Sequence, residues 1–327
     1  MTGRDIDILV AGEINPDIVI SDPDPVPRFG EIERVVRSVA ITVGSSSAIF
    51  ACGAARLGLR VAFVGVVGDD PFGRFMLEAM AGRGIDVSAC RVEPAEPTGA
   101  TVILTSGRDR AMLTAMGSIG AFEPEMVPDA LLDRARHLHV GGFYLQERSR
   151  DRLPAWFAEV RARGLTTSFD TNWDPDEVWD GGVLELLRNT DVFLPNAEEV
   201  RRIARNDDAE AAARSLAATA AEGRTDGGPI IVVKQGATGA FALTVAGEVV
   251  RVPALTVDTR DATGAGDAFG AGFLHAWLDG GGLLESLELG VVCGGLSTRA
   301  VGGVEGQPTL IEAREALASW NRASRPQ

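Results

Sequence analysis

Short apolar runs of strand length punctuate the chain, each closed by a turn rich in glycine, acid or asparagine, and most are followed by a segment with helical spacing. Ile6–Ala11, Val61–Val67, Leu138–Val140, Thr166–Asp170, Val192–Leu194 and Ile230–Lys234 are runs of this kind. Strands that are apolar throughout are buried on both faces, the condition of a parallel sheet covered by helices. A Ser-capped, Ala-rich helix follows Gly44-Ser45-Ser46-Ser47 and stops at Gly58. Further helices are predicted from Pro71 to about Arg83, over 151–163, 197–204 and 208–222, after Gly266, near 283–297 and near 311–321. The repeated order of strand and helix makes this an α/β chain. Phe241–Val245 and Glu248–Val252 read as a hairpin around Ala246-Gly247.

Two regions break the rhythm. Glu33–Val43 alternates loosely, after an exposed Pro- and Asp-rich connection at Ser21–Phe29. Thr98–Thr105 and Ala111–Ala115 read as strands joined by Ser106-Gly107-Arg108-Asp109. We assign residues 14–43 and 98–116 to a small β appendage, and 1–13, 44–97 and 117–327 to one large α/β domain.

The 327 residues carry a net charge of −15, which argues against a nucleic-acid or anionic-membrane partner and requires local positive groups for any anionic cosubstrate. Cys52, Cys90 and Cys293 lie far apart without a CxxC pair, which fits free thiols in a reducing compartment. Arg4, Asp5 and Asp7 stand where a signal peptide would be apolar, and no run reaches the length of a membrane span, so a cytoplasmic location is expected. No GxxxxGK[ST] string and no strand-linked GxGxxG is present. His137, His139 and His275 form no ligand cluster, and the first two alternate along a strand.

The stretch Asp261-Ala262-Thr263-Gly264-Ala265-Gly266-Asp267-Ala268-Phe269 carries the most chemistry. Small residues form a turn that opens a helix, whose unpaired N–H groups and positive dipole end suit an anion. Asp267 in the first turn would stand beside that anion, placed to take a proton from a hydroxyl attacking phosphorus. Elsewhere, Gly12-Glu13-Ile14-Asn15-Pro16-Asp17 follows the first strand, where α/β sheets bind ligands. Asp17 could accept hydrogen bonds from a hydroxylated ligand there, or could be an ordinary turn residue. Asn196 and Glu199 have the spacing of a helix capping box. Gly236 and Gly239 form a turn after a strand, and Lys234 before it is a candidate for offsetting phosphate charge or a solvated lysine.

The Asp261–Phe269 string closely resembles the C-terminal signature of the ribokinase-like (PfkB) carbohydrate kinases. The resemblance spans nearly the whole chain, through Gly12-x-x-Asn15-x-Asp17, Ala55-Arg56-Leu57-Gly58, Val67 to Gly73, Asn196-x-x-Glu199 and Gly236-x-x-Gly239. It implies a three-layer α/β domain with a mostly parallel central sheet and a small β lid that often forms a dimer interface. The implied reaction is ATP-dependent phosphorylation of a sugar or sugar-like hydroxyl. Asp267 would be the base, and the N–H groups of Gly264, Ala265 and Gly266 the anion hole. Asp17, with Asn15, Gly44 and Ser45, would bind the acceptor. Asn196, Lys234, Gly236, Gly239 and Gly266 would meet ATP. Glu199 would hold Mg2+ through water, and Asp261 would stand near a monovalent cation such as K+. Asp170 and Asn172 resemble the family's Asp-x-Asn string, but Asp174 replaces the usual basic residue. The family commonly has Gly-Gly before the first helix and an Asn that helps bind the sugar; here the positions read Gly44-Ser45 and Ile49. Ile49 makes ribose a poor expectation; Ser45, Ser46 or Ser47 could supply the lost contact, and the strand end Gly141–Tyr144 a second group for the acceptor. A nucleoside kinase on the same fold and a non-catalytic sugar- or nucleotide-binding regulator are the alternatives.

Overall fold

Along the strand Ile230–Lys234, Ile231 and Val233 enter one apolar cluster while Val232 enters another; Phe241 and Leu243 separate in the same way from Ala240 and Ala242. Such alternation requires a sheet covered on both faces. In the computed structural model, which describes residues 3–106 and 110–324, that sheet has eight strands.

In chain order the strands are β1 (Ile6–Ala11), β2 (Pro16–Ser21), β3 (Ser38–Val43), β4 (Val61–Val64), β5 (Val66–Val67), β6 (Arg91–Val92), β7 (Ala100–Thr105), β8 (Arg110–Ala115), β9 (Ala135–Val140), β10 (Thr166–Phe169), β11 (Val192–Phe193), β12 (Ile230–Lys234), β13 (Ala240–Leu243) and β14 (Val249–Val252). The main sheet runs β14-β13-β12-β11-β10-β9-β1-β4. It is parallel from β12 to β4, and β13 runs antiparallel to both of its neighbours, β12 and β14. The helices are α1 (Ser46–Arg56), α2 (Pro71–Ala81), α3 (Asp129–Arg134), α4 (Leu153–Ala162), α5 (Val183–Leu187), α6 (Ala197–Ala204), α7 (Ala209–Ala221), α8 (Ala265–Leu278), α9 (Leu283–Ser297) and α10 (Leu310–Ser324). Residues of α3 to α7 pack into one cluster and residues of α1, α2, α8, α9 and α10 into the other, giving three layers.

A separate four-stranded sheet, β3-β2-β7-β8, is built from the two stretches that break the α/β rhythm. Residues paired across it share a face. Asp17 pairs with Thr42 and Thr101, and Thr101 with Thr114, so this face is polar there, with Val19 and Ile103 paired further along it. Ile18 pairs with Ile41 and Val102, and Val102 with Leu113, so the opposite face is apolar. The polar face meets the main domain. Thr42 Oγ1 donates to Glu305 at 3.0 Å, and Arg110 Nη1 donates to Thr263 Oγ1 at 3.0 Å.

Several boundaries differ from the sequence reading. Asp17 lies on strand β2, where the sequence also allowed a turn. The run at 61–67 breaks at Gly65, which packs against Gly12 O and Ile14 where the strand passes the end of β1. Only Ser38–Val43 of the 33–43 stretch is strand. The short helices α3 and α5 were not anticipated, because one or two turns carry too little periodicity to read. The expected turn at 107–109 lies outside the described residues.

Candidate active site at the sheet's C-terminal edge

α8 begins immediately after Gly264, whose φ of +72° and contact with Gly303 O, 2.6 Å from where a Cβ would stand, leave no room for a side chain. Ala265 N–H closes a turn onto Ala262 O at 3.2 Å. The N–H groups of Gly264, Gly266 and Asp267 have no partner among the described residues, so of the three expected anion-hole donors Ala265 is the one already engaged. Asp261 braces the turn. Its Oδ1 accepts from Thr263 N at 2.9 Å and Thr263 Oγ1 at 2.8 Å, and its Oδ2 from Gly302 N at 2.9 Å.

Asp267 sits in the first turn of α8. Burial pushes its carboxyl well above the usual carboxylate range; Asp170, Glu13 and Glu199 add to the rise, and Lys234 opposes it. Lys234, at the end of β12, is ion-paired with Asp170 at the end of β10. Burial works against the charge on Lys234, but Asp170 and Glu199 outweigh it and the ammonium is retained. Lys234 is therefore not the solvated lysine that its position also allowed.

Asn196 and Glu199 form the complete capping box of α6. Asn196 Oδ1 accepts from the N–H groups of Glu198 and Glu199, both at 2.9 Å, and Glu199 Oε2 from Asn196 N at 2.7 Å. The cap also turns Glu199 inward. Burial first, then Asp170, raises its carboxyl to about 7, with Lys234 opposing. Capping and a place in the charged cluster are thus compatible. In the turn after β12, Gly236 faces open space, whereas Gly239 is pressed against Val252 O and Pro253. Of the two, Gly236 alone is free to approach a ligand. Asn172 takes φ +57° and donates its N–H to Asp170 Oδ1 at 3.1 Å. Asp174 caps its own loop, accepting from Asp176, Val178 and Trp179 N–H.

On the acceptor side, Asp17 is buried, and burial raises its carboxyl to about 7, Arg110 lowering it and Asp261 raising it. Its carboxylate packs directly over Gly44. Asn15 instead turns toward the small sheet, its Nδ2 donating to Pro16 O at 3.3 Å and Thr101 Oγ1 at 3.4 Å. Ser45 Oγ donates to Glu13 O at 2.6 Å and accepts from Ala48 N at 3.1 Å, so its hydrogen is committed to the protein. Ile49 is 4% exposed and packs on Gly264 and Gly303.

Sequence reasoning passed over Glu13 and Gln146. Glu13 is 1% exposed; its carboxylate accepts from Ser47 N at 3.1 Å, Ser47 Oγ at 2.7 Å and Gln146 Nε2 at 2.9 Å. The available signal was an acid directly after a buried strand. Gln146 carried none, because it lies beyond the end of β9 with no motif around it.

Residues 5–310 match the family model described as pfkB family carbohydrate kinase. The chain is 31% identical over 289 residues to a 2-dehydro-3-deoxygluconokinase of Thermoproteus tenax, covering 84% of this chain and 85% of that protein. It is 32% identical over 290 residues to a fructokinase of Klebsiella pneumoniae, covering 84% of this chain and 91% of that one. The fold matches a protein from E. coli solved in complex with ATP and Mg2+, at a TM-score of 0.82 and 24% identity, covering 96% of this chain and 99% of the other. No helix among the described residues is long and apolar enough to cross a membrane.

Proposed function

The chain belongs to the pfkB family of carbohydrate kinases, and from that premise we propose that it transfers the γ-phosphoryl group of ATP to a hydroxyl of a sugar or sugar-like acceptor, with Asp267 as general base. The observation that carries this is the geometry of the α8 N-terminus, where unpaired N–H groups flank the half-buried carboxyl of Asp267. Asp267 takes the proton of the acceptor hydroxyl as its oxygen bonds to the γ-phosphorus and the bond to the bridging oxygen breaks, releasing ADP. The N–H groups of Gly264 and Gly266, with the Lys234 ammonium beside Gly266, hold the charge on the transferred group. The nucleotide lies along Asn196 and Gly236. Asp17 binds the acceptor, and residues 14–43 and 98–116 act as a lid over it.

Asp170 and Glu199 supply hard carboxylate oxygens within electrostatic reach of each other, a donor set that fits Mg2+ held largely through its own waters. Bound there, Mg2+ would neutralise phosphate charge. Asp261, anchored by Thr263 and Gly302, is a fixed negative charge beside the anion turn, and K+ would be its monovalent partner. Exchange of KCl for choline chloride tests that assignment through the rate.

The apolar outer face of the lid exposes Val39, Ile41 and Leu113, and a second copy of this chain is the partner we assign to it. The deciding experiment is ADP release with ATP and Mg2+ against sugars, sugar acids, sugar phosphates and nucleosides. Acceptor-dependent turnover that falls by about 10²–10⁴-fold in Asp267→Asn is expected. A nucleoside as best acceptor moves the chain to that branch, and ATP binding without any turnover leaves a binding protein.

A further inference from the structure

Away from the cleft, the C-terminal ends of α1 and α2 face the loop 302–309 across a cavity of about 500 Å3. That volume lies within the range of small-molecule sites. Its polar walls are Arg56 at the end of α1, Arg83 just after α2, and Glu305, Gln307 and Thr309 of the loop. Buried Cys52 also lines it, and its thiol feels both Arg83 and Glu305. None of these residues belongs to the nucleotide or acceptor sites above.

The two arginines are exposed, and among the described residues neither has an ion-pair partner. Arg83 donates only to Ala79 O of its own helix, at 2.9 Å. The acids nearby are already engaged. Glu312, within electrostatic reach of Arg56, accepts from Thr309 N at 2.7 Å and Thr309 Oγ1 at 2.9 Å. Glu305 accepts from Thr42 Oγ1 at 3.0 and 3.2 Å and from Val304 N at 3.2 Å. Gln307 is 5% exposed and donates from Nε2 to Ile49 O at 2.8 Å, while its Oε1 accepts from no donor among the described residues. Two guanidiniums from separate helices suit a phosphate dianion. The open Oε1 suits a hydroxyl, so a phosphate ester of a polyhydroxy compound satisfies both.

The loop that walls the cavity also reaches the active site. Gly302 N–H donates to Asp261 Oδ2 at 2.9 Å, Gly303 closes on Gly264, and Glu305 holds Thr42 of the lid strand β3. Glu305 is the acid that lines the cavity. A ligand hydroxyl donating to it competes with Thr42 for the same carboxylate.

We propose that this cavity is a regulatory site for a sugar phosphate, with Arg56 and Arg83 on the phosphate and Gln307 and Glu305 on hydroxyls, and that its occupant loosens the lid and weakens acceptor binding. The proposal rests on the kinase reading above. The occupant belongs to the chemical class of that reaction's product, so the site acts as a brake on accumulation.

The test measures binding of fructose 6-phosphate, inorganic phosphate and AMP by calorimetry without ATP, and their effect on the KM of the best acceptor. The variants are Arg56→Ala/Arg83→Ala and Thr42→Val. Fructose 6-phosphate should bind the wild type and raise the acceptor KM about fivefold to a plateau. A plateau separates this site from competition in the cleft, where KM rises without limit. The double arginine variant should weaken binding about tenfold or more and abolish the KM response, with kcat and the KM measured without sugar phosphate close to wild type. Thr42→Val should keep the binding, start from a raised acceptor KM and respond no further. Unchanged binding in the double arginine variant, a KM that rises without a plateau, or AMP or inorganic phosphate binding as tightly as fructose 6-phosphate overturns the proposal and leaves the kinase reading standing. No acceptor-dependent ADP formation by the wild type overturns the kinase reading and the regulatory role with it, while the calorimetry still shows whether the cavity binds.

Discussion

Lys234 and Asp170 are ion-paired beneath the anion turn, with Lys234 Nζ 3.3 Å from the point where a Cβ on Gly266 would stand. The pair joins the ends of β12 and β10, two strands separated in the sheet by β11. It places one retained positive charge among Asp170, Glu199 and Asp267.

Removing that charge leaves three carboxylates facing one another. Lys234→Met should destabilise the protein by about 3 kcal/mol, the low end for breaking a buried pair, because the side chains keep a little exposure. KM for ATP should rise about tenfold or more as phosphate loses its cation. Urea denaturation and initial-rate kinetics measure the two effects, and an unchanged KM for ATP would remove Lys234 from the nucleotide site.

Asp17 makes stability depend on pH. Its carboxyl is raised from 3.8 to about 7, chiefly by burial. Between those values the folded state holds a proton that the unfolded chain has released. The stabilisation is therefore complete below the unfolded value and is lost as pH rises through about 7. Melting temperatures taken without ligands from about pH 5 to about pH 8 should fall more steeply in the wild type than in Asp17→Asn. Parallel curves would show that Asp17 does not titrate in this window.

Ser45 holds φ +65° and ψ +129°, outside the common conformations of non-glycine residues, while its hydroxyl caps α1. Glycine in a cap costs only a few tenths of a kcal/mol and relieves the backbone, whereas alanine loses the cap and keeps the strain. Ser45→Gly should therefore fall within about 1 kcal/mol of the wild type, and Ser45→Ala about 1–2 kcal/mol below it. Chemical denaturation gives the order, and an alanine variant as stable as the glycine one would contradict the strain argument.

The outer lid face should hold two copies together. Ile41 and Leu113 are 51% and 66% exposed on it. The double variant Ile41→Glu/Leu113→Glu should sediment as a monomer at concentrations where the wild type is a dimer. A monomeric wild type would remove the assignment.

The α/β architecture was legible because strands buried on both faces and amphipathic helices leave patterns over many residues, and the anion turn because Gly264 and Asp267 are fixed to their helix by adjacency. The short helices α3 and α5 left no such pattern. Residues that meet only in space were equally hidden. Nothing in the order of the chain says that Glu13 contacts Gln146 across 133 positions, or that Lys234 reaches Asp170 across 64.

Local strings therefore settled the class of chemistry, because turn geometry, helix dipole and capping depend on near neighbours. The tertiary structure decided the rest. It turned Asn15 away to Thr101, committed the Ser45 hydroxyl to Glu13, pressed Ile49 onto Gly264, and separated an accessible Gly236 from a packed Gly239. It also raised the carboxyls of Asp17 and Glu199, because desolvation and like charge arise only when distant segments close on one another.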